Sequence, residues 1–170
     1  MRNVEIKARC DDLEQVYAIL VAHDIKRKCR MRQVDTYFSV KDGRLKLREI
    51  DGSRVELIGY RRPDVAGART STFAIAKVAD PSAVRSVLAT VLGVRVVVAK
   101  TRDLYLWDNT RVHLDAVDGL GTFVELETTV YGDEVDTAER ECQQVFVDLE
   151  LDERRVVGPS YADLILSSRG

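Results

Sequence analysis

Along most of this chain apolar and ionisable side chains alternate one for one, and the alternation gives way in a few places to a helical spacing. Val4, Ile6 and Ala8 alternate with Asn3, Glu5, Lys7 and Arg9, which predicts a first strand with one polar face. Asp11 then reads as a helix cap with Glu14 three residues on, and Leu13, Val16, Tyr17 and Leu20 recur along one helical face. The polar-rich stretch IKRKCRMRQVDTYFSV leads to Asp42-Gly43, a two-residue hairpin signal. Beyond it Arg44, Lys46 and Arg48 alternate with Leu45 and Leu47. Asp51-Gly52 turns the chain into SRVELIGYRR, with Glu56, Ile58, Tyr60 and Arg62 on one face and Val55, Leu57 and Arg61 on the other. Pro63 stops this strand.

A fifth strand near ARTSTFAIAKV runs to Asp80-Pro81, a cap and first-turn proline for a helix whose buried side is Val84, Val87, Leu88 and Val91, ended by Gly93. VRVVVAKTRDLYLW carries Lys100 and Arg102 on one face, and Trp107 at its end is expected to cover a rim. Thr110 to Glu127 reads as a hairpin around DGLG, with Arg111, His113 and Asp115 sharing a face on one strand and Phe123, Glu125 and Glu127 on the next. A helix beginning at Asp136, with Glu139 in the capping position, buries Ala138, Cys142, Val145, Phe146 and Leu149. Ser160 opens a short last helix whose Tyr161, Leu164 and Ile165 face inward.

Charge narrows the function classes. With 26 basic against 28 acidic residues in 170, no global positive field recruits nucleic acid, so an anion site must be local. No apolar run approaches the roughly 20 residues of a membrane span, and MRNVEIKARC lacks the apolar centre of a signal peptide. Cys10, Cys29 and Cys142 are scattered, which favours a reducing, cytoplasmic setting and disfavours a thiolate zinc site. The length suits one domain over 1–170, without repeats or linkers.

About eight strands, mostly joined by hairpins, bear ionisable side chains on one face. An open sheet would leave that face in water, whereas a closed barrel would turn it into a lumen with the helices packed outside. The signs are segregated by strand: bases at Arg44, Lys46, Arg48, Lys100 and Arg102, acids at Asp115, Glu125 and Glu127. Segregated signs around one cavity describe a site for a polyanion with a divalent metal, in which Lys and Arg take phosphate oxygens and carboxylates hold Mg²⁺ or Mn²⁺.

VEIKAR, QVDTYF with GRLKLRE, the YRRPD loop, KTRDLYLW, RVHLDAVDGLGTFVELE and SYADLIL, in this order, resemble the CYTH superfamily of triphosphate tunnel metalloenzymes. That group includes class IV adenylyl cyclases, thiamine triphosphatases and inorganic tripolyphosphatases. The resemblance implies an α+β protein built on an eight-stranded antiparallel closed tunnel that binds a triphosphate-bearing small molecule with Mg²⁺ or Mn²⁺. It implies triphosphate binding by Lys7, Lys46, Arg48, Arg62, Lys100 and Arg102, and metal binding by Glu5, Asp115, Glu125 and Glu127. Catalytic roles follow for Glu5, Lys7 and Asp115; neither nucleic acid nor membrane is implied as a partner, and a homodimer is left open. One departure stands out: the first Glu of the family's E-x-E-x-K motif is Asn3 here. Three functions fit such a cavity: a triphosphate phosphohydrolase, a class IV-like adenylyl cyclase, or a non-catalytic nucleotide or polyphosphate binder, the last suggested by Asn3. Arg61 is expected to face away from the lumen.

Overall fold

The computed structural model describes residues 2–61 and 67–169, so Arg62, Pro63 and Asp64 of the YRRPD stretch lie outside the described residues. In chain order the elements are β1 (Arg2–Arg9), α1 (Leu13–Ala22), β2 (Arg27–Phe38), β3 (Arg44–Ile50), β4 (Arg54–Arg61), β5 (Arg69–Lys77) and α2 (Pro81–Leu92). There follow β6 (Val94–Trp107), β7 (Thr110–Val117), β8 (Gly121–Thr129), α3 (Val135–Asp148), a 3₁₀ turn (Glu153–Arg155) and α4 (Tyr161–Ser168). The strands pair antiparallel in the order β1-β5-β4-β3-β2-β6-β7-β8, and β8 returns to β1 to close the barrel. Closure settles the choice between sheet and lumen, because every strand finds two neighbours and no polar edge is left over.

The alternation of each strand sorts its side chains. Outside the barrel, Val4, Ile6 and Ala8 of β1, Val112 and Leu114 of β7, and Val124 and Leu126 of β8 form one apolar surface. Val16 and Leu20 of α1, Ala138, Cys142, Val145 and Phe146 of α3, and its C-cap Leu149 cover it, and all of these are buried. A smaller outer cluster sets Val84, Leu88, Ala89 and Leu92 of α2 against Phe38, Leu47 and Val55.

Two helices bury less than their spacing predicts. Tyr17 of α1 is 47% exposed, and Val87 and Val91 of α2 are 61% and 73% exposed. A single helix on a convex barrel meets it along a narrow stripe, and in α2 that stripe runs through Val84, Leu88 and Leu92 rather than through Val87 and Val91. The caps also shift. Asp12, not Asp11, caps α1, accepting from Gln15 N at 3.0 Å, while Asp11 instead pairs with Arg155 at 2.6 and 2.9 Å. α3 starts at Val135 after Glu134 with no side-chain cap, so Asp136 lies inside its first turn. The expected caps of α2 and α4 hold: Asp80 accepts from Ala83 N at 3.0 Å, and Ser160 and Asp163 form a reciprocal capping box.

Asp42-Gly43 belongs to a five-residue connection from Phe38 to Arg44 rather than a two-residue hairpin. Gly43 is required there, since at φ +71° a Cβ would sit 2.9 Å from the Tyr60 carbonyl oxygen.

α4 packs differently from α1, α2 and α3. Its Tyr161, Ala162 and Ile165 meet Tyr37, Val96, Val98, Val117 and Phe123. By strand parity these belong to the lumen face: Val96 and Val98 share it with Lys100 and Arg102, and Phe123 shares it with Glu125 and Glu127. α4 therefore stops one end of the barrel with an apolar plug. Asp163 fixes it to Arg44 at 2.8 Å and Arg95 at 3.2 Å, and Lys7 Nζ donates to the Pro159 carbonyl at 2.6 Å.

Candidate functional site: a charged cavity inside the barrel

Above the plug lies a cavity of about 400 Å³ to which all eight strands contribute side chains, together with Ser160 and Tyr161. Asn3, Glu5, Lys7, Lys46, Arg48, Lys100, Arg102, Glu125 and Glu127 line it, all of them on the polar faces that the alternation marks. Arg61, on the other parity of β4, is exposed. Asp115 lies behind the lining at 0% exposure.

The basic side is built from two cross-strand arginine–aspartate pairs. Asp35 lies opposite Arg48 in the β2–β3 register, and Asp115 opposite Arg102 in the β6–β7 register. Arg48 donates Nε and Nη2 to Asp35 at 2.7 Å each, and Lys46 Nζ reaches the same carboxylate at 2.9 Å. Arg102 donates Nε and Nη2 to Asp115 at 2.6 Å each and also reaches Glu125 at 2.6 Å. The Tyr161 hydroxyl donates to Asp115 at 2.8 Å, so the plug helix contributes a polar group to the site. Such forked pairs lock the guanidinium planes and leave each Nη1 outside the bonds to the aspartate.

Burial and charge act together on these groups. Burial pushes the Asp35 carboxyl up, but Arg48 and Lys46 outweigh it and hold the group well below the usual carboxylate range. Burial also opposes ionisation of Asp115, where Arg102 and Lys100 prevail and lower its pKa. Lys100 sits 3.8 Å from Asp115 and 4.9 Å from the centre of the Tyr161 ring. Burial first, then the positive charges of Arg102 and Arg48, pull it down to about 7 against the opposing effect of Asp115 and Asp35. Burial and the neighbouring Asp115 push the Tyr161 hydroxyl well above its ordinary value, so it stays a donor.

The acidic side spans β1, β8 and β7. Glu5 lies opposite Glu127, and Lys7 opposite Glu125, in the β1–β8 register. On the other flank His113 lies opposite Glu125, and Arg111 opposite Glu127. Arg111 Nη2 donates to Glu127 Oε2 at 2.7 Å. The Asn3 amide, oriented to satisfy its neighbours, accepts from Arg111 Nη2 at 2.7 Å and donates to the Arg2 carbonyl at 2.9 Å. Arg111 thus bridges the amide that replaces the motif's first carboxylate to the last carboxylate of the hairpin.

His113 is 4% exposed, and its Nδ1 stands 3.8 Å from Glu125 and 3.9 Å from Glu127 without a hydrogen-bond partner. Burial and Arg102 lower its pKa, which keeps the imidazole neutral near pH 7. For Glu125, burial is outweighed by His113, Arg102 and Lys7, and for Glu127 by His113 and Arg111, so both carboxyls remain ionised. One donor atom each from His113, Glu125 and Glu127 lies within 4.8 Å of the others. Ionised carboxylates beside a neutral imidazole are a chemically suitable donor set for a divalent cation.

Three contributors carry no assigned role at the sequence level. Asp35 was visible in QVDTYF, where Gln33, Asp35 and Tyr37 alternate with Val34, Thr36 and Phe38 and so share a face. Arg111 shares a face with His113 and Asp115, but its partner Asn3 lies too far away in sequence to be inferred. Tyr161 reads as an apolar helix contact, and nothing local shows that its hydroxyl meets Asp115.

A protein of Methanocaldococcus jannaschii, named as a proposed adenylate cyclase, is 27% identical over 96% of this chain and 98% of its own. Among solved structures, a protein of Pyrococcus horikoshii matches with a TM-score of 0.86 and 21% identity, over 95% of this chain and 98% of that one. A proposed adenylyl cyclase of Hippeastrum, described as having a dominant triphosphatase activity, matches with a TM-score of 0.68 and 15% identity, over 98% of this chain and 96% of that one. The CYTH domain model matches residues 1–157, the stretch that holds every barrel strand, and on that match the chain belongs to the CYTH domain family.

Proposed function

We propose that the cavity takes the triphosphate end of a small molecule, with a divalent metal on its acidic side, and catalyses displacement at phosphorus. One observation carries the reading: within a single closed barrel, Lys46, Arg48, Lys100 and Arg102 line the same cavity as Glu5, Glu125 and Glu127, on separate strands. A polyphosphate chain needs several fixed cations along its length, and Asp35 and Asp115 fix two of these cations by holding the inner edges of Arg48 and Arg102.

In this reading Lys7, Lys46, Arg48, Lys100 and Arg102 hold phosphoryl oxygens, with Arg62 as a further candidate from the motif. Glu5, Glu125 and Glu127 hold the metal, and Asp115 acts by orienting Arg102 and Lys100. When bound, Mg²⁺ or Mn²⁺ would neutralise charge on the phosphoryl oxygens. The residues' own contribution is positional and electrostatic: fixed donors stabilise the charge that builds on the equatorial oxygens during in-line displacement. Lys7, at 1% exposure and 4.5 Å from the centre of the Tyr161 ring, is held rigidly enough to serve this way.

The remaining lining favours an organic triphosphate. Met31, Ile50, Ile58, Phe73, Ile75 and Leu104 line the same cavity and offer an apolar surface that inorganic tripolyphosphate could not use. The relatives' names bracket the chemistry. In a cyclase the ribose 3′-hydroxyl of ATP attacks the α-phosphorus and pyrophosphate leaves; in a triphosphatase water attacks the terminal phosphorus, the diphosphate end is the leaving group, and the attacked phosphoryl group becomes orthophosphate. A non-catalytic binder is the second reading, because Arg111 occupies both Asn3 and one oxygen of Glu127.

The test is incubation of the purified protein with ATP and with tripolyphosphate in Mn²⁺ and in Mg²⁺, resolving cyclic AMP, ADP, AMP, pyrophosphate and orthophosphate. Arg61→Ala serves as a control outside the cavity and Arg48→Ala as the cavity variant. Product formation that falls at least tenfold in Arg48→Ala and stays near wild type in Arg61→Ala supports the reading. Tight binding without product under either metal would leave the binder, and no binding of any triphosphate would overturn the assignment.

A further inference from the structure

Building on the proposed triphosphate site, we propose that His113 is itself a metal ligand, making the centre a mixed nitrogen–oxygen site that prefers a first-row transition ion such as Mn²⁺ to Mg²⁺. The family resemblance placed only carboxylates at the metal, and a carboxylate set alone would favour a hard ion. Here β7 brings an imidazole to the same spot. Its Nδ1 is buried, lacks a hydrogen-bond partner, and stands 3.8 Å from Glu125 Oε2 and 3.9 Å from Glu127 Oε1.

An unpartnered nitrogen in a buried polar site costs about 1–3 kcal/mol unless something occupies it. Hydrogen bonding to the carboxylates does not supply the missing partner, because both separations exceed hydrogen-bond length. A cavity water or a cation would, and the two ionised carboxylates that face the same nitrogen, with donor atoms within 4.8 Å of one another, favour the cation after a small inward shift.

The surrounding bonds restrict which oxygens serve. Glu127 Oε2 is taken by Arg111, which leaves Oε1, the oxygen facing His113, for the ion. Arg102 donates to Glu125 Oε2, the oxygen nearest His113, so the ion would share that oxygen with the guanidinium or take Oε1. The Asn3 oxygen accepts from Arg111, so the amide is turned to the guanidinium rather than to the ion. Imidazole gains more from Mn²⁺ and the later divalents than from Mg²⁺, which retains its waters and demands oxygen.

The test reads the metal directly. Full-length protein is loaded with Mn²⁺ under conditions giving one bound ion per chain, and electron spin echo envelope modulation is recorded with natural-abundance and with ¹⁵N-histidine-labelled protein. Free Mn²⁺ is counted by its solution EPR signal, and Mg²⁺ affinity is obtained by competition. The expected result is ¹⁴N modulation that changes with the histidine label and disappears in His113→Gln. That variant should also lose at least tenfold in Mn²⁺ affinity but less than threefold in Mg²⁺ affinity.

One bound Mn²⁺ with no histidine nitrogen coupling in the wild type overturns the ligand assignment while leaving the triphosphate site standing. The wild-type spectrum decides this even if His113→Gln fails to fold. Absence of Mn²⁺ and Mg²⁺ binding, in the presence or absence of tripolyphosphate, would overturn both readings.

Discussion

Lys100 offers the sharpest test of the basic wall, because its charge is poised. Burial together with Arg102 and Arg48 brings it down to about 7, whereas a bound polyanion would favour the charged form. Tripolyphosphate binding should therefore draw a proton onto the protein: about half a proton per chain at pH 7 and about nine-tenths at pH 8, from a titration centred near 7. The sign follows from the shift. Below about pH 7 the lysine is already charged and binding is at full strength; above it each pH unit costs about 1.4 kcal/mol, or about tenfold in affinity, until the raised value in the complex is reached. Neither His113, whose pKa is lowered, nor the lowered carboxyls of Asp35, Asp115, Glu125 and Glu127 titrate in that window. The assay is isothermal titration calorimetry of the metal-free protein in EDTA at pH 7.5, 8.0 and 8.5, in buffers of different ionisation enthalpy, so that turnover does not intrude. In Lys100→Met only the ligand's own proton change should remain, and the excess uptake and its pH dependence should disappear. Undiminished proton uptake in that variant would refute the reasoning.

Two further perturbations follow from the same network. Asp35→Ala leaves Arg48 and Lys46 buried beside each other without their shared carboxylate, so urea unfolding at pH 7 should show a loss of about 3–5 kcal/mol. Because the folded Asp35 pKa is depressed, its contribution is present above the unfolded value of about 3.9 and fades as pH falls through the folded value, so the gap to wild type should narrow in acid. Asn3→Glu restores the motif's missing carboxylate, but its oxygen would meet Arg111, so metal stoichiometry by calorimetry should stay at one ion. A second ion bound by Asn3→Glu alone would show that Arg111 yields its place.

The barrel was largely legible because a period of two, sustained over strands joined by turn residues, has few solutions once one face is charged. β1, β3, β6 and the β7–β8 hairpin show this alternation most plainly, and their lumen residues line the cavity. What the pattern could not convey was the role of α4. Tyr161 and Ile165 have the spacing of any amphipathic helix, and that spacing does not distinguish the outer wall from the open end. On the convex wall the same spacing overstates burial, since Val87 and Val91 fit a helical stripe that the curved sheet is too narrow to cover.

The charge balance also depends on pairings invisible in one dimension. Among the motif residues the bases outnumber the acids, which predicts a cavity positive enough to attract an anion unaided. Asp35 offsets part of that excess by pairing across β2 and β3, and the lowered pKa of Lys100 leaves its charge incomplete at neutral pH. Arg48, Arg102 and Arg111 each have a carboxylate partner, which relieves the mutual repulsion of the bases around the cavity. The forked bonds to Asp35 and Asp115 hold Arg48 and Arg102 in place before any ligand arrives. If the cavity takes a triphosphate as proposed, the ligand meets arginines that need no reordering and a lysine that acquires its full charge only on binding, so affinity and proton uptake would be coupled through the same wall.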